Sequence, residues 1–435
     1  VCSSDLLGGH SLKATQVLSQ LHRQLGLEIS LVNLFYYPQL QALATYLSSL
    51  QTGALLTPIS PVPDIERENG VLASYGQRRL WFLDRYAEGK DTYYDMGGSF
   101  VLTGNVNKEA LLKSLNYLID RHEVLRTYYE ARGGEVYQRV LPLEAIVVEV
   151  NKIQGKNKLD QVRKQLKEDW SKPLVLSEGP LFKAQIYLLS KTEVVLSLRW
   201  HHSISDGWSI QKFLKELHLL YGGYCRGEEI SLAKIKAQYL DYSAWQRDYL
   251  ANHVDKQLNY WVTQLSDLET LRLPTDFPRP AVLSTEGGYV SFTLDNDVLS
   301  NLKRLADQEG LTLFMVLYTG LLLLLNRYSQ QEDICIGTPI AGRRHPEIEQ
   351  THGFFVNTLV LRQKLDSAWS IKDLLAAVKK TCLTAYDHQD IPFDYVVEVI
   401  NPDRDLSRHP LFQVMLVLQN ISDEIRLDFS DIEVS

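Results

Sequence analysis

The chain has 435 residues, a length that accommodates roughly two to three domains, and 45% of them are hydrophobic, enough for substantial cores. A formal net charge of −8, with no clustered basic face and no interleaved aromatic stripe, argues against a nucleic-acid surface. Cys2, Cys225, Cys335 and Cys382 are widely separated and form no Cys-x-x-Cys pair, so neither a disulfide framework nor a metal site is indicated, and a reducing cytoplasm fits.

In chain order, the first signal is Leu7-Gly8-Gly9-His10-Ser11-Leu12, ahead of an amphipathic stretch with Leu12, Val17, Leu18, Leu21 and Leu25. The glycine pair permits a tight turn that presents Ser11 at a helix start; taken alone, that serine reads more commonly as an N-cap. Gln51 to Asn69, with Pro58, Pro61 and Pro63, lacks helical periodicity and reads as a linker. Further on, Val194, Leu196, Leu198 and Trp200 alternate with Glu193, Val195, Ser197 and Arg199, the period of a strand. His201 and His202 follow it and therefore face opposite ways. Ile210, Phe213, Leu214, Leu217 and Tyr221 then recur at helical spacing, which places Asp206-Gly207 in a strand-to-helix turn whose backbone donors could meet a developing oxyanion. Leu273 to Pro280, with three prolines, breaks the chain into two mixed α/β halves without a detectable internal repeat. Leu313 to Leu325 is the most apolar stretch, too short for a membrane span and ending in Asn326-Arg327, so it reads as a buried helix. No signal peptide is evident.

The element WHHSISDGWS, Trp200 to Ser209, resembles the His-His-x-x-x-Asp-Gly signature of the chloramphenicol acetyltransferase-like superfamily, most closely that of nonribosomal peptide synthetase condensation domains. Further segments fall in that family's order: SYGQRRLW from Ser74, RHEVLRT from Arg121, YLDYSAW from Tyr239, IGTPIAGR from Ile336, FFVNTL from Phe354, HQDIPF from His388 and RDLSRHPLFQ from Arg404. Gly76 departs from the pattern, which usually has alanine there, a change that bears on packing more than on chemistry. Leu7 to Leu12 resembles the attachment site of peptidyl carrier domains, and the region from Ile29 to Leu47 resembles their remaining helices.

The resemblance implies a mixed α/β fold of two chloramphenicol acetyltransferase-like lobes forming a V with a central tunnel, preceded by a small partial helical-bundle carrier domain. The expected boundaries are residues 1–50 for a carrier lacking its first helix, 51–70 for the linker, 71–265 for the N-terminal lobe and 266–435 for a C-terminally truncated second lobe. Val1 to Leu6 reads like the in-frame translation of a sequencing adapter. By the same resemblance, Ser11 would carry 4′-phosphopantetheine, and an acyl group on that arm would pass to the amine of a downstream aminoacyl carrier. His202 would be the central residue and His201 would support the fold, while a side chain at Gly207 would obstruct the tunnel or a backbone donor. Asp206 has two readings, a second catalytic carboxylate close to His202 or a structural anion; the resemblance favours the latter, paired with Arg343. Asn357 would support the acceptor side. The expected partners are upstream and downstream carrier and adenylation domains and a phosphopantetheinyl transferase, with no nucleic acid and no membrane.

Specificity is expected by subtraction. Heterocyclising relatives replace the first histidine with aspartate and epimerising relatives differ after the Asp, so ordinary condensation of an L-configured donor is favoured. The rival readings are an ester-forming acyltransferase with a hydroxyl acceptor and a silent domain that recruits or docks partners.

Overall fold

A computed structural model of the chain describes residues 17, 20–21, 24–25, 29, 31–37, 39–49, 58–90, 92–284, 286–400, 405, 407–419 and 432–434. The Gly8 to Ser11 turn lies outside the described residues. The fold is mixed α/β, and its contacts divide the chain into two units. A histidine-bearing unit comprises residues 58–249, 347–355 and 421–435; a second unit comprises 1–57, 250–346 and 356–420. The division therefore differs from a single cut at residue 265. It falls within the helix Tyr239–Leu265, and it returns 347–355 and 421–435 to the histidine-bearing unit.

The histidine-bearing unit is built on a five-stranded sheet of β2 (Asp95–Gly104), β5 (Glu149–Lys152), β6 (Phe182–Leu188), β7 (Glu193–His201) and β10 (Ile432–Val434), in the order β10-β2-β7-β6-β5. Among these strands, only the β5–β6 pair is parallel. The alternation read in β7 sends its side chains to two cores. Val194, Leu196, Leu198 and Trp200 enter the main core, whereas Val195 packs on the other face with Tyr187, Val162 and Leu166, the last two from the helix Lys158–Trp170. Because both faces are covered, the polar positions of the strand are buried too, and Arg199 must find partners there. It pairs with Asp95 and donates to the carbonyls of Asp169 and Lys172.

The stretch read as linker is ordered into this unit from Pro58 onward. Ile59 and Val62 are buried, and the backbone N–H of Val62 donates to Asp241 Oδ1 at 2.8 Å. Arg67 bridges Asp241 and Glu123, each at 2.6 Å. Proline content there reflects an extended path along a surface it helps to bury, not a free tether. A small sheet of β1 (Val71–Leu72), β4 (Glu135–Val140) and β3 (Thr127–Arg132) adjoins it.

In the second unit, β8 (Asp333–Ile340) and β9 (Asn357–Lys364) pair antiparallel, with Ile336 opposite Leu361. The helix Leu313–Ser329 buries Met315, Val316, Tyr318, Leu322 and Leu325, as its apolar run predicts, and Thr312 caps it by accepting the Met315 N–H. No single helix among the described residues is long and apolar enough to cross a membrane.

Candidate active site

The two histidines part company where β7 ends. His201 occupies the last strand position and is buried; its Nδ1 accepts the Ser203 N–H at 3.1 Å and lies 2.8 Å from Ser203 Oγ. A nitrogen that accepts a backbone N–H is unprotonated, and burial, reinforced by the neighbouring His202 and Arg199, pushes the His201 pKa down to about 3. His201 is thus a neutral cap for the turn that follows.

His202 opens the short 3-10 turn His202–Ile204 and is half-buried. Its Nδ1 lies 2.8 Å from the carbonyl oxygen of Ser205, which only accepts, so Nδ1 carries a proton. Nε2 of the neutral ring then holds a lone pair. This is the arrangement a proton acceptor requires: one nitrogen fixes the tautomer and the other is left for chemistry.

Buried polar groups hold the turn in place. The Ser203 carbonyl accepts from Tyr129 Oη at 3.1 Å and from Gln77 Nε2 at 3.4 Å. Gln77 also completes a capping box with Ser74 at the start of the helix Tyr75–Tyr86, so one residue serves helix and turn. Asp206 is fully buried and caps the helix Gly207–Cys225, its Oδ1 accepting the Ser209 N–H at 2.8 Å. Its Oδ2 accepts the Phe355 N–H at 3.0 Å, which ties the turn to a segment 149 residues away. Both oxygens of the carboxylate thus accept backbone N–H groups.

Gly207 is exposed, takes no left-handed conformation and has open space where a Cβ would stand. Nothing in its own surroundings demands glycine. Any such demand comes from what approaches the helix N-terminus.

The segment 351–355 is fastened from several sides. Ser209 Oγ donates to the Gly353 carbonyl at 2.8 Å and accepts its N–H at 3.1 Å; Tyr239 Oη donates to the Phe354 carbonyl at 2.6 Å. A Cβ on Gly353 would stand 1.9 Å from the Tyr239 ring, so only glycine lets the segment lie this close. Phe354 then packs edge to face with His202, ring centroids 4.9 Å apart.

A second histidine of this unit is closed off. His122 Nε2 meets Glu216 Oε2 at 2.7 Å, and Lys212 reaches the other oxygen at 2.9 Å. Burial lowers the His122 pKa against the pull of Glu216. Although burial pushes the Glu216 carboxyl up, the His122 hydrogen bond and the Lys212 ammonium outweigh it and hold the pKa at about 2.

Arg343 and Asn357 belong to the second unit. Arg343 is buried just beyond β8. Asn357 opens β9, donates to the carbonyls of Gln389 and Ile391, and accepts the N–H groups of Thr358 and Phe393. Its amide is fully occupied in pinning the HQDIPF segment to the strand. The structure thus gathers His201, His202, Asp206 and Gly207 in one turn, while Ser11 lies outside the described residues. Sequence reasoning assigned no role to Gln77, Tyr129, Ser209, Tyr239 or Phe354. The available signal was that Gln77, Tyr239 and Phe354 sit inside the ordered motifs.

Residues 67–434 match the Condensation domain family, and residues 4–47 match the Phosphopantetheine attachment site family. The chain is 42% identical over 421 residues to a linear gramicidin synthase of Brevibacillus parabrevis, a match covering 95% of this chain and 5% of that protein. It is 36% identical over 438 residues to the dimodular nonribosomal peptide synthase of Bacillus subtilis (strain 168), covering 99% of this chain and 18% of that protein. The chain therefore spans less than a fifth of the length of these curated relatives. Among solved structures, the X-domain from teicoplanin biosynthesis superposes with a TM-score of 0.76 at 24% identity, covering 87% of this chain and 84% of that one. The first condensation domain of the calcium-dependent antibiotic synthetase, in complex with a substrate analogue, superposes with a TM-score of 0.62 at 17% identity, with 83% of each chain covered.

Proposed function

We propose, for a chain that belongs to the condensation-domain family of nonribosomal peptide synthetases, that it forms a peptide bond between a carrier-bound acyl thioester and the amine of an aminoacyl group on a second carrier. The amine nitrogen attacks the thioester carbonyl, a C–N bond forms, and collapse of the tetrahedral intermediate breaks the C–S bond and releases thiolate. The proton lost by the amine passes to His202 Nε2 and from there to the departing sulfur. An α-amine with pKa about 7.7–8.0 needs only about 1 kcal/mol to become neutral at pH 7. Holding the amine and taking its proton after attack therefore matter more than prior deprotonation.

The observation that carries this reading is the His202 tautomer, with Nδ1 committed to the Ser205 carbonyl and Nε2 left with its lone pair. The N-terminus of the helix Gly207–Cys225 supplies positive potential and backbone donors for the developing oxyanion. In this reading a side chain at Gly207 would intrude on the incoming substrate. Asp206 serves as a structural anion that holds the turn, and Asn357 orders its own segment. Ser11 is the attachment point for 4′-phosphopantetheine, installed by a phosphopantetheinyl transferase, and the donor is L-configured. Adjacent carrier and adenylation domains of a cytoplasmic assembly line would be the partners.

The test uses this chain within its parent protein, the Ser11 carrier loaded with an L-peptidyl thioester and a downstream aminoacyl carrier supplied, with both carrier masses followed. Transfer by wild type and a large loss in a folded His202→Ala variant are expected. No transfer across a varied panel of donors and amine acceptors, or transfer only to a hydroxyl acceptor, would overturn it. Turnover of a D-donor alone would overturn the stereochemical part.

A further inference from the structure

We infer that Phe354 is a positioning residue for the His202 imidazole and that Gly76 sets where Phe354 stands. Both contacts of the Phe354 ring lie within the histidine-bearing unit. A Cβ built on Gly76 would lie 2.8 Å from Phe354 Cε1 and 3.1 Å from Cδ1, so the phenyl ring occupies the notch that the missing side chain leaves. The same ring meets the His202 imidazole at 4.9 Å between centroids, with planes 70° apart.

The backbone of Phe354 has little freedom to yield. Its carbonyl accepts from Tyr239 Oη, which is itself 2.8 Å from Ser74 Oγ; Gly353 before it is stapled to Ser209, and Phe355 after it donates to Asp206. With its backbone fixed, the ring answers a side chain at position 76 by turning, and any turn changes its contact with His202. His202 needs that contact. Among the described residues its ring makes one hydrogen bond, from Nδ1 to the Ser205 carbonyl, about which the ring can swing, and the phenyl contact supplies the second constraint that aims Nε2.

The experiment compares wild type with Gly76→Ala, Phe354→Leu and the double variant, each in the full chain. Alanine favours the helix Tyr75–Tyr86, in which Gly76 is the second residue, so Gly76→Ala does not act by weakening that helix. Two readouts need no turnover: the rate at which diethyl pyrocarbonate modifies His202, mapped by mass spectrometry, and the imidazole 15N shifts that report which nitrogen is protonated. Gly76→Ala is expected to change the modification rate several-fold. It should also lower kcat for amine transfer about ten-fold with KM for the acceptor carrier unchanged, the scale on which a small misplacement acts. The double variant should return the modification rate toward that of Phe354→Leu, because leucine withdraws the ring edge that the new methyl meets.

Wild-type modification of His202 and wild-type kcat in Gly76→Ala would overturn the inference, as would a Gly76→Ala effect that Phe354→Leu does not relieve. The kinetic arm rests on the condensation reading. If no transfer is seen even in wild type, the modification and 15N arms still decide whether Phe354 orients His202.

Discussion

His122 and His202 stand in the same unit, each with one ring nitrogen hydrogen-bonded to an oxygen, yet their surroundings give them opposite capacities. His122 Nε2 is held by an ionised Glu216 that Lys212 also serves, and its Nδ1 is buried without a hydrogen-bond partner among the described residues. His202 gives its Nδ1 proton to a backbone carbonyl, stays half-buried, and keeps the basic nitrogen. The difference teaches that a charged partner and full burial turn a histidine into a structural strut. A neutral acceptor with partial exposure leaves it a reagent.

The comparison breaks most sharply at His202 itself. His202→Ala should lower carrier-to-carrier transfer by about 10²–10⁴-fold, the usual range for a lost proton-transfer group, with little change in thermal unfolding. At the structural end, Glu216→Gln leaves Lys212 and His122 without their anion in a buried place. We expect a loss of about 3 kcal/mol in equilibrium unfolding, and kcat in the surviving folded protein close to wild type. A selective loss of kcat would show that the two histidines are not separable. Between these lies Asp206→Asn. One of its two carboxylate oxygens becomes an NH₂ group facing a backbone N–H, which should cost about 1–3 kcal/mol. Activity and melting temperature should fall together, and activity lost at an unchanged melting temperature would restore the catalytic reading of Asp206.

A further effect is a pH slope. His201 has its pKa near 3 in the folded protein and near 6.5 when unfolded. Between those values the unfolded chain binds a proton that the native chain does not, so stability rises with pH across the window and falls on acidification. One such group contributes a slope of about 1.4 kcal/mol per pH unit. His201→Asn keeps an acceptor for the Ser203 N–H and removes the titration, so its unfolding free energy should lose that share of the acid slope. An unaltered slope would mean that His201 is not the group being protonated.

Much of the site was legible in the sequence. The alternation through Trp200 and the helical spacing from Ile210 placed the turn, and strand geometry alone led to the expectation of opposed histidines. The role of Asp206 as an N-cap was implicit in its position before a helix. What sequence reading could not reach was its second hydrogen bond, because pairing Asp206 with the Phe355 N–H depends on where residues 347–355 return in space. The same non-local return separates contact order from chain order in this unit. Pro58 to Asn69 depends on the same kind of non-local contact. Ile59, Val62 and Arg67 lack a periodic signal, yet each finds its place against distant parts of the chain, Val62 and Arg67 both meeting Asp241.

That return has a consequence in time. During synthesis the His202 turn leaves the ribosome well before Phe355, and at roughly 5–20 residues per second the wait for residue 355 is roughly 7–30 seconds. The edge of β2 waits longer still, since Gly104 pairs only when Ile432 arrives. Through that interval the sheet has an open edge and Asp206 lacks one of its donors, so the His202 turn is unfinished while the chain is still growing. Assembly of this unit is gated by its own distal segments: the chemistry encoded near residue 200 becomes available only after the chain has been read far beyond it.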